Sequence, residues 1–122
     1  MLQIQGHLVD GIGDFRKRMS RYPEVFAAAT GQTLFPGTLN IQVATPIPCV
    51  EHFRIRGSEI DEPEQDLLFE VCRVNEVWAY RIRPFHLLNH SGGHGDHILE
   101  IAASVELRRL LVMRAAEHGN AS

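Results

Sequence analysis

The chain has 122 residues, 44% of them hydrophobic and 22% charged, the make-up of one ordinary globular domain that needs no disulfide or metal staple. A formal net charge of −3 excludes the dense basic face that a general polyanion binder needs, so nucleic acid is not an expected partner. No apolar stretch approaches the length of a membrane span, and residues 1–6 lack the basic-then-apolar pattern of a signal peptide, so no membrane partner is expected.

In chain order, residues 2–9 alternate loosely and predict a first strand, which Gly11 and Gly13 break. Residues 14–22 are charged without a clean period and are expected as a loop. Pro23 to Thr30 reads as a short helix, with Pro in the first turn and Gly31 placed to stop it. Thr38 to Val43 alternates strictly, with Leu39, Ile41 and Val43 on one face and Thr38, Asn40 and Gln42 on the other. Residues 50–56 predict another strand, and the acidic, Pro63-containing stretch 57–66 a surface loop. Residues 67–74 and 77–83 predict a hairpin turning at Asn75-Glu76. A Gly/His loop over 89–96 precedes a strand from Ile98 to Ala102, and Ser104 is placed to cap a helix over 105–113 whose Leu107, Leu110 and Leu111 share a stripe. Cys49 and Cys72 form no C-x-x-C pair, lie in apolar, strand-like stretches and are expected as buried thiols, which makes a cytoplasmic home the default. The pattern is mainly β: a small barrel with one or two short accessory helices, a single domain over 1–116 and a frayed tail over 117–122.

Five places carry candidate chemistry. In Pro36-Gly37-Thr38-Leu39-Asn40 a tight turn leads into a strand, and the strand period puts the Thr38 hydroxyl and the Asn40 amide on one face, roughly 6.5–7 Å apart along the chain. Both are neutral oxygen donors of the kind Mg²⁺ accepts alongside waters and phosphate oxygens. The same pattern also describes a turn followed by an edge strand with a solvated face. Gly11-Ile12-Gly13-Asp14-Phe15-Arg16 follows a strand, so its backbone N–H groups have room to approach phosphate oxygens, although it has neither P-loop spacing nor a dinucleotide fingerprint. Glu100 stands in an otherwise apolar strand, where it either lines a ligand pocket or faces water. Ser104-Val105-Glu106-Leu107-Arg108 reads as a helix start, whose free N–H groups either meet an anion or face only water. His90, His94 and His97 have spacings compatible with zinc but no cysteine beside them.

Taken together, these segments resemble the CTP-dependent riboflavin kinases. Gly6-x-x-x-Asp10-Gly11-Ile12-Gly13-Asp14 resembles the family's G-x-V-x-S-G-x-G-E-G. Phe35-Pro36-Gly37-Thr38-Leu39-Asn40-Ile41 resembles its [YF]-P-G-T-L-N-[IV], the most specific match. His94 with Ile98-Leu99-Glu100-Ile101-Ala102 resembles H-x-x-x-I-I-E-I-I-A, and Val105–Arg108 the L-R helix that follows.

The resemblance implies a six-stranded barrel of the cradle-loop type that moves the CTP γ-phosphate to riboflavin, giving FMN and CDP. It implies that Gly11, Ile12, Gly13, Asp14, Phe15 and Arg16 hold the nucleotide together with Val105, Glu106, Leu107 and Arg108. It implies Thr38 and Asn40 as Mg²⁺ ligands and Glu100 as a flavin contact. Asp14, standing where the family has Glu, is the candidate catalytic group, expected to orient either the acceptor hydroxyl or a metal-bound water.

The family's third glycine is Phe15 here, its flavin-contacting threonine falls at Gly92, and no final strand follows the helix. The last departure leads to the expectation that a partner chain, such as a second copy, covers an open barrel edge. The departures leave two other readings open: a non-catalytic nucleotide- or flavin-binding module of the same fold, and an enzyme for another small phosphorylated substrate.

Overall fold

The computed structural model describes residues 6–9, 15–88 and 96–111. Six strands form one antiparallel sheet: β1 (His7–Val9), β2 (Leu39–Gln42), β3 (Phe53–Ile55), β4 (Gln65–Val74), β5 (Val77–His86) and β6 (Ile98–Ala103). They pair in the order β1-β2-β6-β5-β4-β3, so the last strand in sequence lies between β2 and β5. Two short helices, α1 (Phe15–Arg21) and α2 (Pro23–Thr30), join β1 to β2. The architecture is mainly β with few short helices, as the alternation predicts. No described helix is long and apolar enough to cross a membrane.

The β4–β5 hairpin is the longest pairing, ten residues in register from Gln65↔His86 to Val74↔Val77. Its two-residue turn holds Asn75 at φ 47° and Glu76 at φ 72°. Two successive positive φ values match the right-handed twist of the flanking strands, which is why such a tight turn closes this hairpin. Helix α2 ends as expected, with Gly31 at φ 76° donating its N–H to Ala27 O.

Residues 14–22 are a correction: Phe15–Arg21 is a helix, not a loop. Phe15 and Met19 lie four apart and bury themselves on one side, while Arg16, Lys17, Arg18 and Arg21 take the rest of the surface. Two apolar positions in seven residues are too few to stand out in sequence, yet they decide the conformation by packing. The stretch 57–66 also departs from a plain surface loop. Gly57–Ile60 forms a 3-10 turn that buries Ile60, and Asp66 is buried where its carboxylate accepts from Gly57 N and pairs with Arg54. Cys49 lies in an irregular segment and Cys72 in β4, and both are half-buried rather than fully buried.

The sheet is covered on both faces. One core layer joins Phe15, Met19 and Phe26 of the helices to Ile55, Leu67, Phe69, Tyr80, Ile82 and Ala102 of the strands. Each large side chain buried this way contributes about 1.5–3 kcal/mol of transfer free energy. The other layer joins Leu39, Val43, Ala79, Leu99, Ile101 and Ala103 to Leu107 and Leu111 of the helix that starts at 107. Leu107 and Leu111 thus share the expected stripe. Residues 112–122, including the expected tail, lie outside the described residues.

Candidate functional site

Gly37 sets the geometry of the central segment. It has φ +121°, which a side chain rarely tolerates, and its N–H points to Met19 Sδ at 3.4 Å. The turn is therefore tied to α1. One residue earlier but one, Phe35 N donates to Ala103 O at 2.8 Å and ties the same segment to the end of β6. Arg108 Nη2 reaches Val9 O at 3.3 Å and ties the start of the last helix to the end of β1. These contacts draw four distant parts of the chain around one space.

That space is a cleft of about 410 Å³. Phe15 and Arg16 of α1 line it, as do Phe35 through Asn40, Ile101 through Ala103, and Val105 through Arg108. Among the residues singled out in sequence, Phe15, Arg16, Thr38, Asn40, Val105, Glu106, Leu107 and Arg108 therefore meet in one place. Gly11, Ile12, Gly13 and Asp14 lie outside the described residues. Phe15 is a core residue, 3% exposed, as well as a lining residue. The charged lining side chains are Arg16, Arg108 and Glu106. Two cations against one carboxylate suit an anionic ligand.

Thr38 and Asn40 are on one face, as the strand period predicts. Asn40 Nδ2 donates to Thr38 O at 3.2 Å and lies 3.5 Å from Thr38 Oγ1. Asn40 is 3% exposed, and its Oδ1 has no hydrogen-bond partner among the described residues. A buried amide oxygen without a partner costs about 1–3 kcal/mol, so Asn40 Oδ1 gains by accepting from, or coordinating, a ligand. The half-buried Thr38 hydroxyl and Asn40 Oδ1 are neutral oxygens of the type that fits a hard cation such as Mg²⁺.

Glu100 is the direct cross-strand partner of both Asn40 and Ile82 and shares their face. It is 2% exposed and does not line the cleft. The strand alternation is as expected, but the face is covered rather than open to water. Gly92, His90 and His94 lie outside the described residues. His97 is described, with Nδ1 3.4 Å from Val43 O. Neither cysteine lines the cleft. Burial pushes the Cys72 thiol up to about 11 and raises that of Cys49, so both are neutral at physiological pH and poor nucleophiles.

Sequence reasoning missed Phe35, Ala102 and Ala103 as lining residues. For Phe35 the signal was its place at the head of the Pro36–Asn40 motif. For the alanines there was none, because small side chains at the end of a buried strand carry no chemistry of their own.

A family model for the CTP-dependent riboflavin kinase domain, also described as domain of unknown function DUF120, matches residues 8–118. The chain belongs to the CTP-dependent riboflavin kinase family. It is similar to a riboflavin kinase of Thermofilum pendens, 30% identical over 118 residues, a match that covers 88% of this chain and 52% of that protein. The chain thus spans about half the length of the curated relative it matches. The family match takes in the cleft and all four segments that line it, together with residues 10–14.

Proposed function

We infer that this chain is a kinase that transfers the γ-phosphate of CTP to the ribityl 5′-hydroxyl of riboflavin, giving FMN and CDP with the help of Mg²⁺. The observation that carries this reading is the convergence of the α1 start, Pro36–Asn40 and Val105–Arg108 on one cleft. Phosphoryl transfer requires positioning and charge neutralisation more than covalent chemistry from the protein. Arg16 and Arg108 supply fixed positive charge to the phosphates, with backbone N–H groups of residues 11–16. Thr38 Oγ1 and Asn40 Oδ1 would hold the cation, which would supply positive charge against the phosphates. The acceptor hydroxyl oxygen forms a bond to the γ-phosphorus as the bond to the β-phosphate oxygen breaks. CDP leaves, and the hydroxyl proton passes to the Asp14 carboxylate. Glu100 acts on the flavin side, next to Asn40 across the β2–β6 ladder.

The test is to incubate purified protein with riboflavin, Mg²⁺ and CTP, ATP, GTP or UTP in parallel and to separate the flavins by chromatography. FMN formation with CTP supports the reading, and no FMN with any nucleotide rejects it. A second reading is favoured by the burial of Glu100, which does not line the cleft: a module that holds the nucleotide without transferring phosphate. It predicts a CDP-induced rise in melting temperature with no flavin turnover.

A further inference from the structure

The turn at Pro36–Asn40 has little of its own to fix its shape. Glycine is the residue type freest to change its backbone angles, so φ +121° at Gly37 is not set by that residue alone. Pro36 has no N–H with which to anchor the turn. Phe35 N is held by Ala103 O, so the next donor along the chain is Gly37 N, and its acceptor is Met19 Sδ at 3.4 Å. A thioether is a weak acceptor, but this one is firmly placed. Met19 is 2% exposed and belongs to the core layer of Phe15 and Phe26. Its helix α1 is also held from outside, where Arg18 Nη2 pairs with Glu62 Oε1 at 3.3 Å. The same helix brings Arg16, three residues before Met19, to the cleft wall.

The contacts run in series from α1 to the oxygen pair. Met19 Sδ holds the Gly37 peptide, and Thr38 follows it. Asn40 Nδ2 then donates back to Thr38 O at 3.2 Å, which sets the amide whose Oδ1 is left for a ligand. We propose that Met19 is a positioning residue: by accepting from Gly37 N–H, its thioether holds the Thr38 and Asn40 oxygens in a set place relative to Arg16, so that a cation and the guanidinium meet one diphosphate. This rests on the cation-binding part of the function proposed above and adds what sets the geometry of its donors. Loss of the sulfur contact leaves Arg16 where it is and moves only the cation's donors, so the effect falls on Mg²⁺-dependent binding. Leucine fills nearly the same volume as methionine and accepts nothing, so substitution separates the hydrogen bond from the packing.

The test is calorimetric titration of the wild-type chain and Met19→Leu with CDP, once in EDTA and once in Mg²⁺, together with amide hydrogen exchange of both ligand-free proteins followed by NMR. Met19→Leu should melt within about 6 °C of the wild type, since the swap nearly conserves volume. In EDTA the two proteins should bind CDP alike. In Mg²⁺ the variant should bind about threefold to tenfold more weakly, the scale of one lost hydrogen bond. The Gly37 amide should be protected in the wild type and exchange about threefold to tenfold faster in Met19→Leu, with the Gly31 amide, bonded to Ala27 O, as the unchanged control. Selenomethionine in place of methionine keeps the shape and an acceptor and should behave as the wild type in both measurements. A Gly37 amide no better protected in the wild type than in the variant overturns the proposal, and so does an equal loss of affinity in EDTA and in Mg²⁺. The two readings fail separately: wild-type CDP binding that Mg²⁺ does not strengthen removes the cation site and this proposal with it, whereas Mg²⁺-strengthened binding that Met19→Leu leaves intact removes the proposal alone.

Discussion

Asn40→Ala separates a structural amide from a ligand-binding one. In the ligand-free protein the Asn40 side chain donates to Thr38 O at 3.2 Å, a neutral bond worth about 1 kcal/mol, and approaches Thr38 Oγ1 at the outer limit of bonding. Against that stands the buried, unpartnered Oδ1, whose burial costs about 1–3 kcal/mol. Removing the amide forfeits the bond and leaves a small void worth about 1 kcal/mol, but it also removes the unpaired oxygen. The terms nearly cancel, so the ligand-free variant should melt within about 5 °C of the wild type. Ligand changes the comparison. At a hundred times its Kd, Mg²⁺·CDP stabilises the wild type by about 2.7 kcal/mol, and a variant that binds tenfold less tightly gains only about 1.4 kcal/mol at the same concentration. Thermal melts with and without Mg²⁺·CDP measure both quantities. A variant that melts far below the wild type without ligand yet keeps the full ligand-induced rise would refute the assignment of Oδ1 to a cation.

Three further outcomes are expected. Gly37→Val should cost more than about 1 kcal/mol by chemical denaturation, because φ +121° is strained for any side chain, and should also weaken Mg²⁺·CDP by disturbing Thr38; wild-type values for both would contradict the role of the turn. Glu100→Gln should raise the KM for riboflavin more than that for CTP, and equal changes in both would remove Glu100 from the acceptor side. Cys72, its thiol pushed up to about 11 by burial, should be alkylated well over tenfold more slowly than a free cysteine at pH 8. Since its folded pKa is raised, its contribution to stability is complete below about pH 9 and is lost as pH rises towards 11, which denaturant melts across that range would detect.

The parts legible in the sequence were those with a short-range physical signature. Strict alternation over residues 38–43 gave β2 and correctly put Thr38 and Asn40 on one face. Pro23 and Gly31 marked both ends of α2. The β4–β5 hairpin was readable from two apolar runs around Asn75-Glu76, although each strand extends further than the alternation indicated. What escaped depends on tertiary contacts. Helix α1 exists because Phe15 and Met19 find a core beneath them, and local composition shows mostly its charges. The burial of Glu100 follows from β6 lying between β2 and β5, an order that no local pattern encodes. For the site, the motif residues were visible one segment at a time. Their convergence required Gly37 to meet Met19, Phe35 to meet Ala103, and Arg108 to meet Val9.

The most direct test of the account is a crystal structure of the protein with Mg²⁺ and CDP. The account predicts a cation about 2.0–2.1 Å from Thr38 Oγ1 and Asn40 Oδ1, bridging to the diphosphate within the cleft. A cation bound elsewhere, or a diphosphate outside the space between Arg16, Asn40 and Arg108, would contradict it.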